Sequence, residues 1–329
     1  MELLGIVGAV HALVTGGAGF IGSHLVDALL KRGDSVIALD NLSTGRHDNI
    51  RNHLEDPKFE FVLGSALNAD LVDDLVARSD SVFHLAAAVG VKLIVERPLE
   101  SLVTNIRGSE IVFEKAHKHG RKVLITSTSE IYGKSTQIPL QEDGDRLLGS
   151  PLIGRWSYST SKAVDEILAH AYWKAKGLPA VIVRLFNTVG ERQSSEYGMV
   201  VPRLIQQALA GQALSVFGDG TQTRCFGYVG DVIPALIDLM ECREAEGQAV
   251  NIGSTEEVTI LQLAQLIVEL SGSTSKVTLV PYEDVYESGF EDMPRRVPDI
   301  SRAAKLIGFE PRTSLTEIIE FMIADAQRK

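Results

Sequence analysis

The stretch TGGAGFIG, Thr15 to Gly22, constrains this chain more than any other, because it joins an apolar run, HALV, to a helix-patterned one. Gly16, Gly19 and Gly22 recur at G-x-x-G-x-x-G spacing. Glycine serves three needs in such a turn: a sharp exit from the strand, close approach of backbone amides to a pyrophosphate, and tight packing of helix on strand. A second apolar run, SVIALD, ends in Asp40. A carboxylate there accepts from adenosine ribose hydroxyls and repels a 2′-phosphate, so the pattern predicts binding of NAD rather than NADP. Phe20 and Ile21, on the same turn, belong to this cofactor cradle.

The first half continues in the same rhythm. FEFVLG, SVFHLAAA and KVLITSTS read as further strands, and FIGSHLVDALLKRG and RGSEIVFEKAHKHG as amphipathic helices that end in glycine. Strands that are apolar throughout, separated by helices, imply a parallel sheet covered on both faces. After AVIVRLFNTVG the character changes: Gly, Pro and aromatic residues become frequent, interrupted by the helices RLIQQALAG and ILQLAQLIVELSG. The boundary is therefore drawn between a dinucleotide-binding unit, 1–187, and a smaller mixed α/β unit, 188–329, with some segments crossing back.

Composition narrows the function. A formal charge of −11 over 329 residues disfavours a nucleic-acid surface. An anionic ligand must be held by helix N-termini, backbone amides and a few arginines. The two cysteines, Cys225 and Cys242, have no zinc spacing, and His117 and His119 in KAHKHGRK read as a helix C-terminus, so no metal is expected. The apolar opening carries Glu2 instead of a basic start and runs directly into a strand, which reads as mature protein in the cytoplasm.

Further along, RWSYSTSKAVDEILAHAY places Tyr158 and Lys162 four residues apart, on one face of a predicted helix. A lysine beside a phenol stabilises the phenolate, lowering its pKa toward that of a useful base. Taken with the glycine turn, with HLAA, which includes Leu85, Ala86 and Ala87, and with Thr128 at a strand end, the chain resembles the extended short-chain dehydrogenase/reductases that modify nucleotide sugars. The segments TSTSEIYG, RWSYSTSK, RLFNTVG, TQTRCF and VPDISRA most resemble those of UDP-glucuronate decarboxylases.

That resemblance implies a Rossmann-type doubly wound fold, NAD retained through the cycle, and a UDP-sugar oxidised at C4. It implies Thr128, Tyr158 and Lys162 as the catalytic trio, with Ser129, Glu130 and Arg224 as decarboxylase additions. It places Asn41, Ser43, Thr44 and Gly45 at the adenosine ribose and its phosphate, and Asn105 and Thr126 in the cofactor wall. Asn187, Arg224 and Arg296 fall at the diphosphate, and the segment holding Val201 and Arg203 along the uridine. It also implies a homodimer through a four-helix bundle.

The stretch STSEIYG sharpens the reaction. Three polar residues at the end of a buried strand are costly unless used, and dehydratase relatives carry an Asp-Glu pair after this threonine where Ser129-Glu130 stands here. The missing acid disfavours loss of water and favours decarboxylation of UDP-glucuronate to UDP-xylose or its 4-keto precursor. The alternative is 4-epimerisation of a UDP-hexose or UDP-hexuronate; a binding protein that senses NAD without turnover is disfavoured by the intact trio. Alternatively, Glu130 caps or anchors a loop, and Arg224 pairs with Asp231 or Asp219. Two stretches depart from the family: AAAVGVKLIVERPL, where Val91, Lys92 and Leu93 stand near the sugar, with Lys92 read as facing solvent, and GSALNAD, where Ser65 or Asn68 replaces an adenine-binding acid.

Overall fold

The computed structural model describes residues 10–89, 97–196, 198–285, 291 and 293–328. Val91, Lys92 and Leu93 lie outside them. Six strands alternate with helices in the first half: β1 (His11–Thr15), β2 (Ser35–Asp40), β3 (Phe59–Leu63), β4 (Ser81–His84), β5 (Lys122–Thr128) and β6 (Ala180–Leu185). The helices between them are α1 (Phe20–Arg32), α2 (Ala69–Ala77), α3 (Pro98–His119) and α4 (Ser157–Lys176). The second half adds β7 (Thr188–Val189), α5 (Val200–Leu209), β8 (Leu214–Phe217), β9 (Thr223–Cys225), β10 (Gly227–Tyr228), α6 (Val229–Glu241) and β11 (Ala249–Ile252). It ends with β12 (Glu257–Thr259), α7 (Ile260–Leu270), β13 (Val277–Val280), α8 (Ser301–Ile307) and α9 (Leu315–Arg328).

The main sheet runs β3-β2-β1-β4-β5-β6-β11, and all its pairings are parallel. Alternation along β1 explains why both faces are apolar: Ala12 and Val14 join the core under α1 and α6, while Leu13 joins the one under α2, α3 and α4. Each fully buried leucine contributes on the order of 2 kcal/mol. The chain order reverses beside β1, so a crevice opens beyond the carboxyl ends of β1 and β4.

One feature goes beyond the sequence reading. The helix expected over 107–120 begins at Pro98, because proline at the first position costs no internal hydrogen bond. The chain beyond 188 returns to the main sheet: α6 packs on α1, and β11 extends the edge next to β6. A separate apolar core gathers α5, α7, α9 and β8, with β13 pairing parallel to β8. No helix among the described residues is long and apolar enough to cross a membrane.

Candidate active site

The turn after β1 shows why glycine is required. Gly16 has φ +74°, and a Cβ on Gly22 would stand 2.0 Å from the carbonyl oxygen of Gly16. The N-terminus of α1 that follows carries no side-chain cap and no acidic residue in its first turn. Its amides are therefore presented to the crevice, which suits a diphosphate. Asp40 ends β2 with its carboxylate buried, accepting from the backbone amides of Ala18 at 3.0 Å and Leu42 at 2.8 Å. Burial raises its pKa, against those same hydrogen bonds. A Cβ on Gly45 would come within 2.8 Å of both Asp40 oxygens, so glycine makes room for the acid.

The crevice is a continuous cleft of about 550 Å³. Of the cofactor residues read from sequence, Gly16, Gly19, Phe20, Ile21, Gly22, Asp40, Asn41, Ser43, Thr44, Leu85, Ala86, Ala87, Thr126 and Tyr158 line it. Asn105 stands behind the wall, accepting from the Ala88 amide at 2.7 Å and donating to Ser161 Oγ at 3.2 Å. Ser65 lines the cleft, whereas Asn68 caps α2 by accepting from the Leu71 amide. His84 is buried between Thr15 and Ser109. Burial, with the nearby Lys162 charge, lowers its pKa to about 3.

Thr128, Ser129 and Glu130 all line the cleft at the end of β5. Thr128 Oγ1 accepts from the Glu130 amide, so the threonine, not the glutamate, caps the short 3₁₀ turn Ser129–Tyr132. The Glu130 side chain instead forms a two-pronged ion pair with Arg155, one prong at 3.0 Å and the other with Arg155 Nη1. Arg296 Nη1 lies 3.6 Å from the same carboxylate and donates to Ser129 Oγ at 3.4 Å. All three charged groups are nearly buried.

Tyr158 also lines the cleft, on the first turn of α4. The expected lowering of its pKa is not found. Burial pushes it up, and the carboxylates of Glu130 and Asp165 push in the same direction. One turn on, Lys162 Nζ donates to Asp165 Oδ2 at 2.6 Å.

On the far side, Asn187, Arg203, Arg224 and Arg296 line the cleft. Asn187 takes φ +36° and donates to the Cys225 carbonyl at 2.9 Å. Arg203 lies over the Phe217 ring, 4.2 Å from its centroid. Arg224 donates to the carbonyls of Thr223 and Met293, while Asp231 binds the amides of Arg312 and Thr313 and Asp219 binds Thr221. Val201 is the exception: it is in the apolar core of α5, and Met199 and Val200 face the cleft instead. Sequence reasoning missed Arg155, Arg192 and Gln222 in the lining. Arg155 had a signal, being a cation one helical turn before Tyr158, and Gln222 stood inside the quoted segment TQTRCF; Arg192 had none.

A nucleotide-binding crevice at the switch point of a doubly wound sheet, with Tyr158 in its lining and Lys162 buried one turn further along the same helix, defines a class of NAD-dependent enzyme. Residues 12–253 match the NAD dependent epimerase/dehydratase family, so the chain belongs to that family, and its cofactor is NAD. It is 42% identical to a UDP-N-acetyl-alpha-D-glucosaminuronate decarboxylase of Bacillus cytotoxicus, covering 92% of this chain and 94% of the relative. It is 38% identical to UDP-glucuronic acid decarboxylase 1 of Danio rerio, covering 93% and 70%. Among solved structures, UDP-glucuronic acid 4-epimerase from Bacillus cereus, in complex with UDP-glucuronic acid and NAD, superposes with TM-score 0.87 at 31% identity, covering 97% of this chain and 99% of that one.

Proposed function

We propose that this protein decarboxylates a UDP-linked hexuronate, UDP-glucuronate above all, through a 4-keto intermediate. The observation that carries the reading is the meeting of Ser129, Glu130, Arg155 and Arg296 in the cleft that also holds Tyr158. Among the described residues, two guanidiniums meet beside one carboxylate, and guanidiniums are the groups that bind a sugar carboxylate in a two-pronged fashion. The decarboxylase names of the relatives support the same chemistry.

Bound NAD supplies reversible oxidation at sugar C4. Tyr158 takes the proton of the C4 hydroxyl, which Thr128 orients, and Lys162 holds the nicotinamide ribose. With a ketone at C4, the C6 carboxylate belongs to a β-keto acid. The C5–C6 bond breaks, its electron pair forms the enolate, carbon dioxide leaves, and C5 is protonated. Ser129 and Arg296 face the departing carboxylate, and Glu130, fixed by Arg155, orients the ring. Asn187 and Arg224 hold the diphosphate, and the segment from Met199 to Leu204 lies along the uridine. In this division residues 1–187 hold NAD and 188–329 the sugar nucleotide, with α6 and β11 returning to the sheet.

Incubation with NAD and UDP-glucuronate, or UDP-N-acetylglucosaminuronate, followed by mass spectrometry, tests the reading. A product lighter by one carbon dioxide is expected, and its redox level distinguishes UDP-xylose from the 4-keto sugar. Unchanged mass with inversion at C4 would replace decarboxylation by epimerisation.

The assembly belongs to the same proposal. Leu99 and Val103 on α3 and Ile167 on α4 are exposed, and those helices pack side by side, so a second copy of this chain completes a four-helix bundle. Light scattering at twice the chain mass checks it. A cytoplasmic setting accords with a reaction fed by soluble nucleotide sugars.

A further inference from the structure

On the buried side of α4 stands a carboxylate that the proposed reaction does not use. Asp165 is fully buried one turn beyond Lys162, itself almost inaccessible, and accepts from its ammonium at 2.6 Å. Asp165 Oδ1 has no hydrogen-bond partner among the described residues. Packing alone does not explain this arrangement, since an apolar side chain would fill the space without desolvating two charges. The next residue differs: Glu166 is engaged by Arg184 at 2.7 Å and 2.9 Å and by Ser127 at 2.5 Å.

Among the described residues, the charges that face Tyr158 and Lys162 come from few elements. The 3₁₀ turn after β5 contributes Glu130, compensated by Arg155 and Arg296. The end of β4 contributes His84, which the low pKa keeps neutral. Helix α3 contributes Asn105 and Ser109, both uncharged. Lys162 and Asp165, on Tyr158's own helix, complete the set. Tyr158 and Lys162, four apart, share a helix face.

From this geometry we infer that Asp165 is a positioning residue that competes with the Tyr158 phenolate for the Lys162 ammonium, and so sets the pH at which Tyr158 becomes a base. This rests on Tyr158 as the base of the proposed reaction. The sign is definite. With Asp165 in place, Lys162 already has a counter-ion, and forming phenolate puts a second anion beside one cation. Removing the Asp165 charge leaves Lys162 to stabilise phenolate, so Tyr158 ionises at lower pH.

The test compares the wild-type protein with Asp165→Asn and Asp165→Ala, each with and without Tyr158→Phe. The phenolate absorbance near 295 nm is followed against pH with no cofactor or substrate added; the difference made by Tyr158→Phe isolates Tyr158. A midpoint lower by about one to two pH units in the Asp165 variants is expected. The acid limb of kcat/KM should move the same way. Unchanged midpoints overturn the inference. So does failure of both variants to fold, because the pair would then be a structural one. As the titration needs no turnover, a shift in a protein inactive on every hexuronate would leave this inference standing and remove the proposed reaction. Turnover with an unmoved midpoint would do the reverse.

Discussion

At the level of single residues, the carboxylate in STSEIYG answers to a partner 25 positions away. Glu130 attracted notice in the sequence because an acid at the end of a buried strand is costly, but nothing local says what neutralises it. The pairing with Arg155 depends on the loop before α4 folding back over the end of β5. Replacing Arg155 by Ala should remove the two-pronged partner of Glu130 and leave Arg296 at 3.6 Å, lowering stability by about 2–3 kcal/mol because a nearly buried charge loses a close partner. Activity on a UDP-hexuronate should fall about a hundredfold. Arg155→Lys keeps the charge but not the fork, and should recover stability better than kcat/KM. Thermal denaturation beside steady-state kinetics decides; a lysine variant with wild-type kinetics would show that the fork has no part in catalysis. The same scale shows where spacing misled: Tyr158 and Lys162 were legible as a pair, but Asp165, which claims the lysine, was only one more acid on a helix.

At the level of elements, the glycine turn and its strand–helix unit were the most legible part, since turn, strand end and helix start are adjacent in the chain. The contacts made at Gly22 turn that legibility into a prediction. A methyl there would meet the Gly16 carbonyl oxygen at 2.0 Å, a backbone atom fixed by the turn. Gly22→Ala should cost about 1–3 kcal/mol through displacement of α1 from β1, with NAD affinity reduced at least about tenfold because the cradle amides move with the helix. Gly154→Ala, where an added methyl meets nothing within 4 Å, should change neither. NAD titration and melting curves of both variants test this, and normal NAD binding by Gly22→Ala would disconnect the turn from the cofactor. The second half was less legible for a physical reason. The parallel pairing of β8 with β13 spans some sixty residues, and α5 turns Val201 inward and Val200 outward, a phase fixed by its packing on α7 and α9 rather than by its own residues.

Across the whole molecule, the charge is distributed against its own average. The chain carries −11, yet among the described residues the cleft is lined by Arg46, Arg97, Arg155, Arg192, Arg203, Arg224 and Arg296 against only Asp40, Glu100 and Glu130. The overall charge pointed away from nucleic acid and toward anions held locally, but it did not reveal that the arginines converge, because they are scattered along the chain from Arg46 to Arg296. A positive, partly enclosed cleft on an acidic molecule concentrates the field where NAD and a UDP-sugar enter and repels anions elsewhere. Salt should therefore weaken binding in proportion to ligand charge. Between about 20 mM and about 500 mM salt, where the screening length shrinks several-fold, the dissociation constant of UDP-glucuronate should rise more than that of UDP-glucose, which differs by lacking the carboxylate. Calorimetric titration of the NAD-loaded protein with each ligand measures both slopes. The excess slope should disappear in Arg155→Ala, whose loss removes one of the two guanidiniums beside Ser129 and Glu130. Parallel slopes in the wild-type protein would mean that the sugar carboxylate rests outside this charged pocket, and that Glu130 and its arginines hold the loop alone.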